Sequence, residues 1–166
     1  MQLRYLADRG HHGIGVALPD GDPPLGPVRL RFAREAAARI GLPAPVGLTV
    51  PRVRAGAVGA VSGFLGAHPA VTAFAAFDDD VALRVLAAAR DLGLSVPRDL
   101  AVIGFDDTDY GALFTPTLTT VHIDAEEHGR RAARMVLGLD DGTPAAPARV
   151  VVRESVPARV IVRESA

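Results

Sequence analysis

A chain of 166 residues, nearly half of them hydrophobic (49%), can bury one ordinary core and is too apolar to be disordered. Its formal charge of −1 creates no positive field for nucleic acid, and the lack of cysteine excludes disulfides, thiol nucleophiles and thiolate metal sites. No apolar run approaches the roughly 18–20 residues of a membrane span and no signal peptide is visible, so a cytoplasmic protein without a membrane partner is expected.

In chain order, residues 3–9 read as a helix stopped at Gly10, and 14–18 as a short buried strand. The run Asp20-Gly21-Asp22-Pro23-Pro24 can continue neither element and must be a loop. Residues 28–40 form a helix with Leu30, Ala33, Ala37 and Ile40 on its apolar face, closed by Gly41. The alternation then repeats: strand 46–50, helix 56–65, strand 71–77, helix 80–92 and strand 100–105. In the helix over 80–92 the buried stripe is Ala82, Val85, Leu86 and Ala89. Strands alternating with helices imply a parallel sheet covered on both faces, a three-layer α/β sandwich.

After Asp109 the rhythm changes. Residues 111–116 look irregular, 118–123 extended, and Asp124 caps a helix running to Leu137 with Ala132, Ala133, Val136 and Leu137 as its stripe. Asp140 to Pro144 ends that helix. The segment Pro147-Ala148-Arg149-Val150-Val151-Val152-Arg153-Glu154-Ser155 then recurs from Pro157 to Ser165, with Ile161 in place of Val151. Two copies are too few and too short for a solenoid, and they read as two short strands at a sheet edge.

Ligands of parallel α/β sheets bind beyond the carboxyl ends of the strands. Two acidic clusters fall there, Asp78-Asp79-Asp80 after Phe77 and Asp106-Asp107 with Asp109 after Phe105. Asp79 and Asp80 sit where a helix begins, and capping is the expected role for both. Asp78 serves equally as a cap or a ligand contact, whereas Asp106 is expected to touch ligand. Such carboxylates suit the vicinal hydroxyls of a sugar, and they suit Mg²⁺ as well. An Mg²⁺-dependent phosphotransfer or hydrolase domain built on Asp78, Asp79, Asp106 and Asp107 is therefore the rival reading. Against it, all 18 basic residues are arginine, so no lysine is present to neutralise a phosphoryl group. There is no Walker or Gly-rich phosphate motif, Ser62 lies outside any nucleophile elbow, and His11, His12, His68, His122 and His128 lack metal-ligand spacing. His11 and His12, at a helix-to-strand turn, are expected to be structural.

Several segments resemble the LacI/GalR family of transcription regulators. Residues 72–83 are similar to the family's TAVFAYNDEVAL, 91–99 to its ELGLxVPxD, 100–107 to VSVVGFDD, 116–121 to PPLTTV and 162–165 to the terminal VVRES. Leu6 through Ile14 resembles LxxxGHRRI, and the order and spacing agree along nearly the whole chain. The resemblance implies the C-terminal lobe of a type I periplasmic-binding-protein-like fold, spanning 1–166, with two lobes closing over a small effector. It implies further that the helix-turn-helix headpiece and most of the N-terminal lobe lie outside this sequence. The helix over 124–138 would then be the one that packs on the N-terminal lobe.

The same resemblance carries over the effector contacts. Asp106 matches the first aspartate of GFDD, Asp78 stands where the family has Asn, and Arg29 matches the arginine of RLAGF, with Phe32 replacing that motif's glycine. Phe77 holds a cleft-edge position that suits stacking on a sugar and core packing equally. Neither cofactor nor metal nor catalysis is implied. The partners implied are a small-molecule effector, expected to be a sugar, and a second copy in a homodimer. Operator DNA would be reached through the headpiece, so these residues alone are expected to bind no operator, and sugars weakly.

Overall fold

The computed structural model describes residues 1–21, 24–139, 142 and 147–152. Four parallel strands, β1 (Ile14–Pro19), β2 (Val46–Val50), β3 (Ala73–Ala76) and β4 (Ala101–Ile103), lie in the order β2-β1-β3-β4. The helices between them are α2 (Gly26–Arg39), α3 (Arg54–Ala67) and α4 (Asp79–Asp91), with α1 (Gln2–Ala7) preceding β1. The chain continues with α5 (Tyr110–Leu113), β5 (Thr120–His122), α6 (Ala125–Val136) and β6 (Arg149–Val151). The second repeat copy, the motif at 162–165 and most of the run from Asp140 to Pro144 lie outside the described residues.

The strand residues alternate between two cores, as a sheet with period two requires. Phe74, Ala76 and Val102 face one way and pack with Val61 and Phe64 of α3 and with Val81, Val85 and Leu86 of α4. Ala73, Ala75, Ile103 and Val16 face the other way, against Leu3 and Leu6 of α1 and Ala33 and Ala37 of α2. Every strand of the sheet is covered on both faces, so the three-layer α/β sandwich expected from the alternation is present. The stripe read on α4 is buried throughout, with Ala82, Val85 and Ala89 at 0% exposure. Each fully buried side chain the size of valine or leucine contributes about 1.5–3 kcal/mol of transfer free energy.

Helix ends follow the sequence closely. Gly41 and Gly93 adopt φ of +73° and +71°, conformations in which glycine alone escapes a Cβ penalty. The amides of the next residues, Leu42 and Leu94, donate back to Ala37 and Ala89, closing α2 and α4 with the same motif. Asp124 caps α6 as expected, accepting from the Glu127 amide at 2.8 Å.

Two expectations change. The stretch over 111–116 is not wholly irregular, because Tyr110–Leu113 forms the short helix α5. Strands β3, β4 and β5 are shorter than their apolar runs, since pairing stops where the chain turns into the loops at the sheet edge. Among the described residues no helix is long and apolar enough to cross a membrane.

Candidate effector site

The chain runs from β1 outward to β2 and then returns to place β3 on the other flank of β1. That reversal opens a crevice at the carboxyl ends of β1 and β3, the topological switch point where open α/β sheets bind ligands. Phe77 and Asp78 come directly after β3, Phe105 and Asp106 come after β4, and Arg29 reaches the same edge from the first turns of α2.

Arg29 joins these groups. Its Nη2 donates to the Phe77 carbonyl at 2.9 Å, and its guanidinium carbon lies 4.2 Å from the Phe105 ring centroid and 5.1 Å from that of Phe77. Burial pulls the Arg29 pKa down, while Asp106 and then Asp78 push it back up. Asp106 is affected in the opposite sense. Partial burial and the charges of Asp78 and Asp79 raise its carboxyl above the ordinary range, against the opposing pull of Arg29. The site is therefore a guanidinium between two aromatic faces with acidic acceptors beside it. Phe32, the departure from the family pattern, is exposed, with the Arg31 guanidinium 5.1 Å from its ring.

Asp106 and Asp107 have φ of +107° and +62°, and two consecutive non-glycine residues in that region are costly, of order 1–3 kcal/mol each. The loop tolerates them because it is tied down around them. The Asp106 amide donates to the Val121 carbonyl at 2.9 Å, and the Asp107 carboxylate meets His122 Nδ1 at 3.0 Å. Asp106 is thereby held at an open edge with its carboxylate free of any protein donor among the described residues.

The acidic run after β3 behaves differently from its expected capping role. Asp78 is the cap, its Oδ1 accepting from the Val81 amide at 2.7 Å. Asp79 does not cap at all. It is 0% exposed and accepts from the Thr108 amide at 2.7 Å, Thr108 Oγ1 at 3.1 Å and Thr120 Oγ1 at 2.5 Å. Asp80 lies in the first turn, where it pairs on the surface with Arg84. Helix initiation needs one acceptor here, and Asp78 supplies it.

Gln2 and Gly104 complete the support. Gln2, buried beneath the site, donates to the carbonyls of Ala76 at 2.8 Å and Gly104 at 2.9 Å, so α1 joins the ends of β3 and β4. A Cβ at Gly104 would lie 2.2 Å from Asp79 Oδ1, so the bond from Thr120 to Asp79 requires glycine there. His11, expected to be structural, meets Thr72 Oγ1 at 2.9 Å, and burial lowers its pKa.

Sequence reasoning missed Phe105, Asp79's interior role, Gln2 and His122. A signal for Phe105 was present, because β3 and β4 both run into the same tripeptide, Phe-Asp-Asp, at 77–79 and 105–107. No comparable signal marks Gln2 or Asp79, whose partners lie far along the chain. The Mg²⁺ reading finds no support: Asp79 is occupied by three protein donors, and no three His, Asp or Glu side chains among the described residues could hold a metal ion.

Comparison with known proteins identifies the family and the fold. The periplasmic binding protein-like domain family matches residues 3–166. The chain is 34% identical over 162 residues to the HTH-type transcriptional regulator MalR of Streptomyces coelicolor, covering 91% of this chain and 45% of that protein. It is 33% identical over 139 residues to the transcriptional repressor PurR of Salmonella arizonae, covering 82% and 41%. Among solved structures, a LacI family transcriptional regulator from Arthrobacter superposes with a TM-score of 0.72 at 28% identity, over 95% of this chain and 61% of that one. The cellobiose complex of the transcriptional regulator CelR superposes with a TM-score of 0.73 at 28% identity, over 92% and 49%. The chain thus spans a little under half the length of the curated relatives it matches. Those relatives are transcription regulators, not enzymes. The chain belongs to the periplasmic binding protein-like domain family, in the form found in the C-terminal region of LacI-family transcription regulators.

Proposed function

We propose that this chain is the effector-sensing lobe of a LacI-type regulator, taking a sugar or similar polyhydroxylated molecule at Arg29, Phe77, Asp78, Phe105 and Asp106. The observation that carries this is their convergence at the switch point, with aromatic faces for a ring and carboxylate acceptors for hydroxyls. Relatives of the same fold hold cellobiose and lactose, which makes a sugar the first ligand to try. The role is recognition without catalysis, and its setting is the cytoplasm, where transcription regulators act. In an intact regulator, effector binding here would be coupled to a separate DNA site.

The site as built is open on one side, so affinity for cellobiose or lactose is weak. Calorimetry should show a weak heat that Asp106→Ala and Arg29→Ala abolish. Micromolar affinity, or heats unchanged by both substitutions, would contradict the reading. A low-salt gel shift should show no sequence-specific complex, and a specific shift would overturn the assignment of DNA binding to a separate headpiece.

We also read α6 as the helix that packs on the N-terminal lobe in this family. It buries none of its residues, and Met135, Val136, Leu137 and Leu139 are 64–82% exposed. An apolar patch left in water favours self-association, and a homodimer is the form proposed for this chain. A monodisperse monomer across concentrations in analytical ultracentrifugation would refute it.

A further inference from the structure

We propose that His122 is a positioning residue for the effector: by holding the Asp107 carboxylate, it sets the backbone angle at which Asp106 is presented to the ligand. The role rests on the effector site proposed above, and it adds a residue that acts through its neighbour rather than on the ligand.

The loop after β4 is laid along β5 before it turns. Gly104 donates to the Thr119 carbonyl at 2.9 Å and accepts from the Val121 amide at 3.3 Å, and the Asp106 amide donates to the Val121 carbonyl at 2.9 Å. His122 is the parallel bridge partner of Asp106. The chain then leaves β5, and on the far side of the turn the Thr108 amide is fastened to Asp79 Oδ2 at 2.7 Å. Asp107 stands at the turning point, and its Oδ2 accepts from His122 Nδ1 at 3.0 Å. An ionised carboxylate only accepts, so Nδ1 carries the proton whether the imidazole is neutral or charged.

With the Asp106 nitrogen fixed by Val121, rotation about its N–Cα bond depends on where residue 107 is held. That rotation is a φ of +107°, followed by +62° at Asp107, two values that L side chains disfavour. Left to itself, the pair would relax toward negative φ and carry the Asp106 carboxylate out of its place beside Arg29. The His122 bond opposes that relaxation at the residue next to the contact. It does so without belonging to the core: the His122 and Asp107 side chains are 34% and 15% exposed, whereas Thr120 and Val121 are buried.

A ligand that needs one backbone arrangement binds in proportion to the fraction of molecules that hold it. Losing a half-exposed hydrogen bond to a carboxylate lowers that fraction by about tenfold, and the apparent affinity falls with it. A surface pair of no positional consequence would leave affinity unchanged.

Cellobiose titrations of the full chain, followed by backbone amide and Arg29 side-chain resonances, test the role. His122→Ala should weaken binding about tenfold, and its ligand-free spectrum should differ chiefly at residues 106–108. His122→Asn should restore binding to within about threefold of the unaltered chain, because Asn carries an N–H donor at the position of Nδ1. Asp107→Ala breaks the same bond from the other side, so it should weaken binding by a similar factor, and the double variant with His122→Ala by no more. Unchanged affinity in His122→Ala, equal losses in the Ala and Asn variants, or a double variant that multiplies the two single losses would overturn the role and leave the effector site standing. An unaltered chain in which cellobiose moves neither Arg29 nor Asp106 would overturn the site and the role together.

Discussion

The tripeptide Phe-Asp-Asp ends two neighbouring strands of one sheet, and the two copies behave differently. After β3 the chain turns at once into α4, so the first aspartate caps the helix and the second is carried inward to fasten Thr108 and Thr120. After β4 no helix begins immediately. The backbone passes through two positive φ angles, Asp106 is left at the edge beside Arg29, and Asp107 meets His122. The element that a strand runs into, and the side chains packed behind it, decide whether an aspartate is architecture or is available to a ligand. In this fold the second aspartate of one copy holds the loop that presents the first aspartate of the other.

The largest effect expected from breaking this arrangement is at Asp79. Asp79→Ala strands the buried Thr120 hydroxyl and releases the loop at Thr108, and it should cost about 3 kcal/mol in urea unfolding. The matching change in the other copy, Asp107→Ala, should cost about 1 kcal/mol, because that residue is half-buried at the edge. Equal losses would erase the distinction. Gly104→Ala drives a methyl into Asp79 Oδ1 and should cost about 2 kcal/mol. Its effect should be below additive with Asp79→Ala, since the double variant removes the closest group that is struck and leaves the milder contact with Leu118 Cδ2.

Smaller effects separate the two leading aspartates. Asp78→Ala removes a cap and should cost about 1 kcal/mol, whereas Asp78→Asn should cost much less, because Asn caps equally well. Asp106→Asn should stabilise slightly at neutral pH, since the folded state raises this carboxyl above its unfolded value. The native state then binds more protons than the unfolded one between those two values, so stability falls as pH rises through that window. The gain from Asn should accordingly vanish below the ordinary carboxylate range, where both residues are neutral. Thermal unfolding across acidic to neutral pH checks this, and a gain that persists in acid would contradict the assigned cause.

The α/β rhythm was legible because it is local. Periodicity marked α4, and glycines marked where α2 and α4 stop. The strand-end aspartates were legible as a class for the same reason, since topology places them at one edge. Their individual roles were not. Asp79 is buried because a threonine 41 positions away rises beneath it, and no local pattern around residue 79 encodes that partner. Gln2 reads as an ordinary helix residue, and its place under the ends of β3 and β4 is set by how α1 docks. The short helix α5 escaped notice because four residues carry too little periodicity to stand out.

The place where a sugar touches the chain is the most direct test of the effector site. Backbone and side-chain resonances should be monitored while cellobiose or lactose is titrated to high millimolar concentration. Shifts concentrated at Arg29, Phe77, Asp78, Phe105 and Asp106, and lost in Asp106→Ala, are the predicted result. Shifts that map elsewhere, or a spectrum that neither sugar changes, would contradict it.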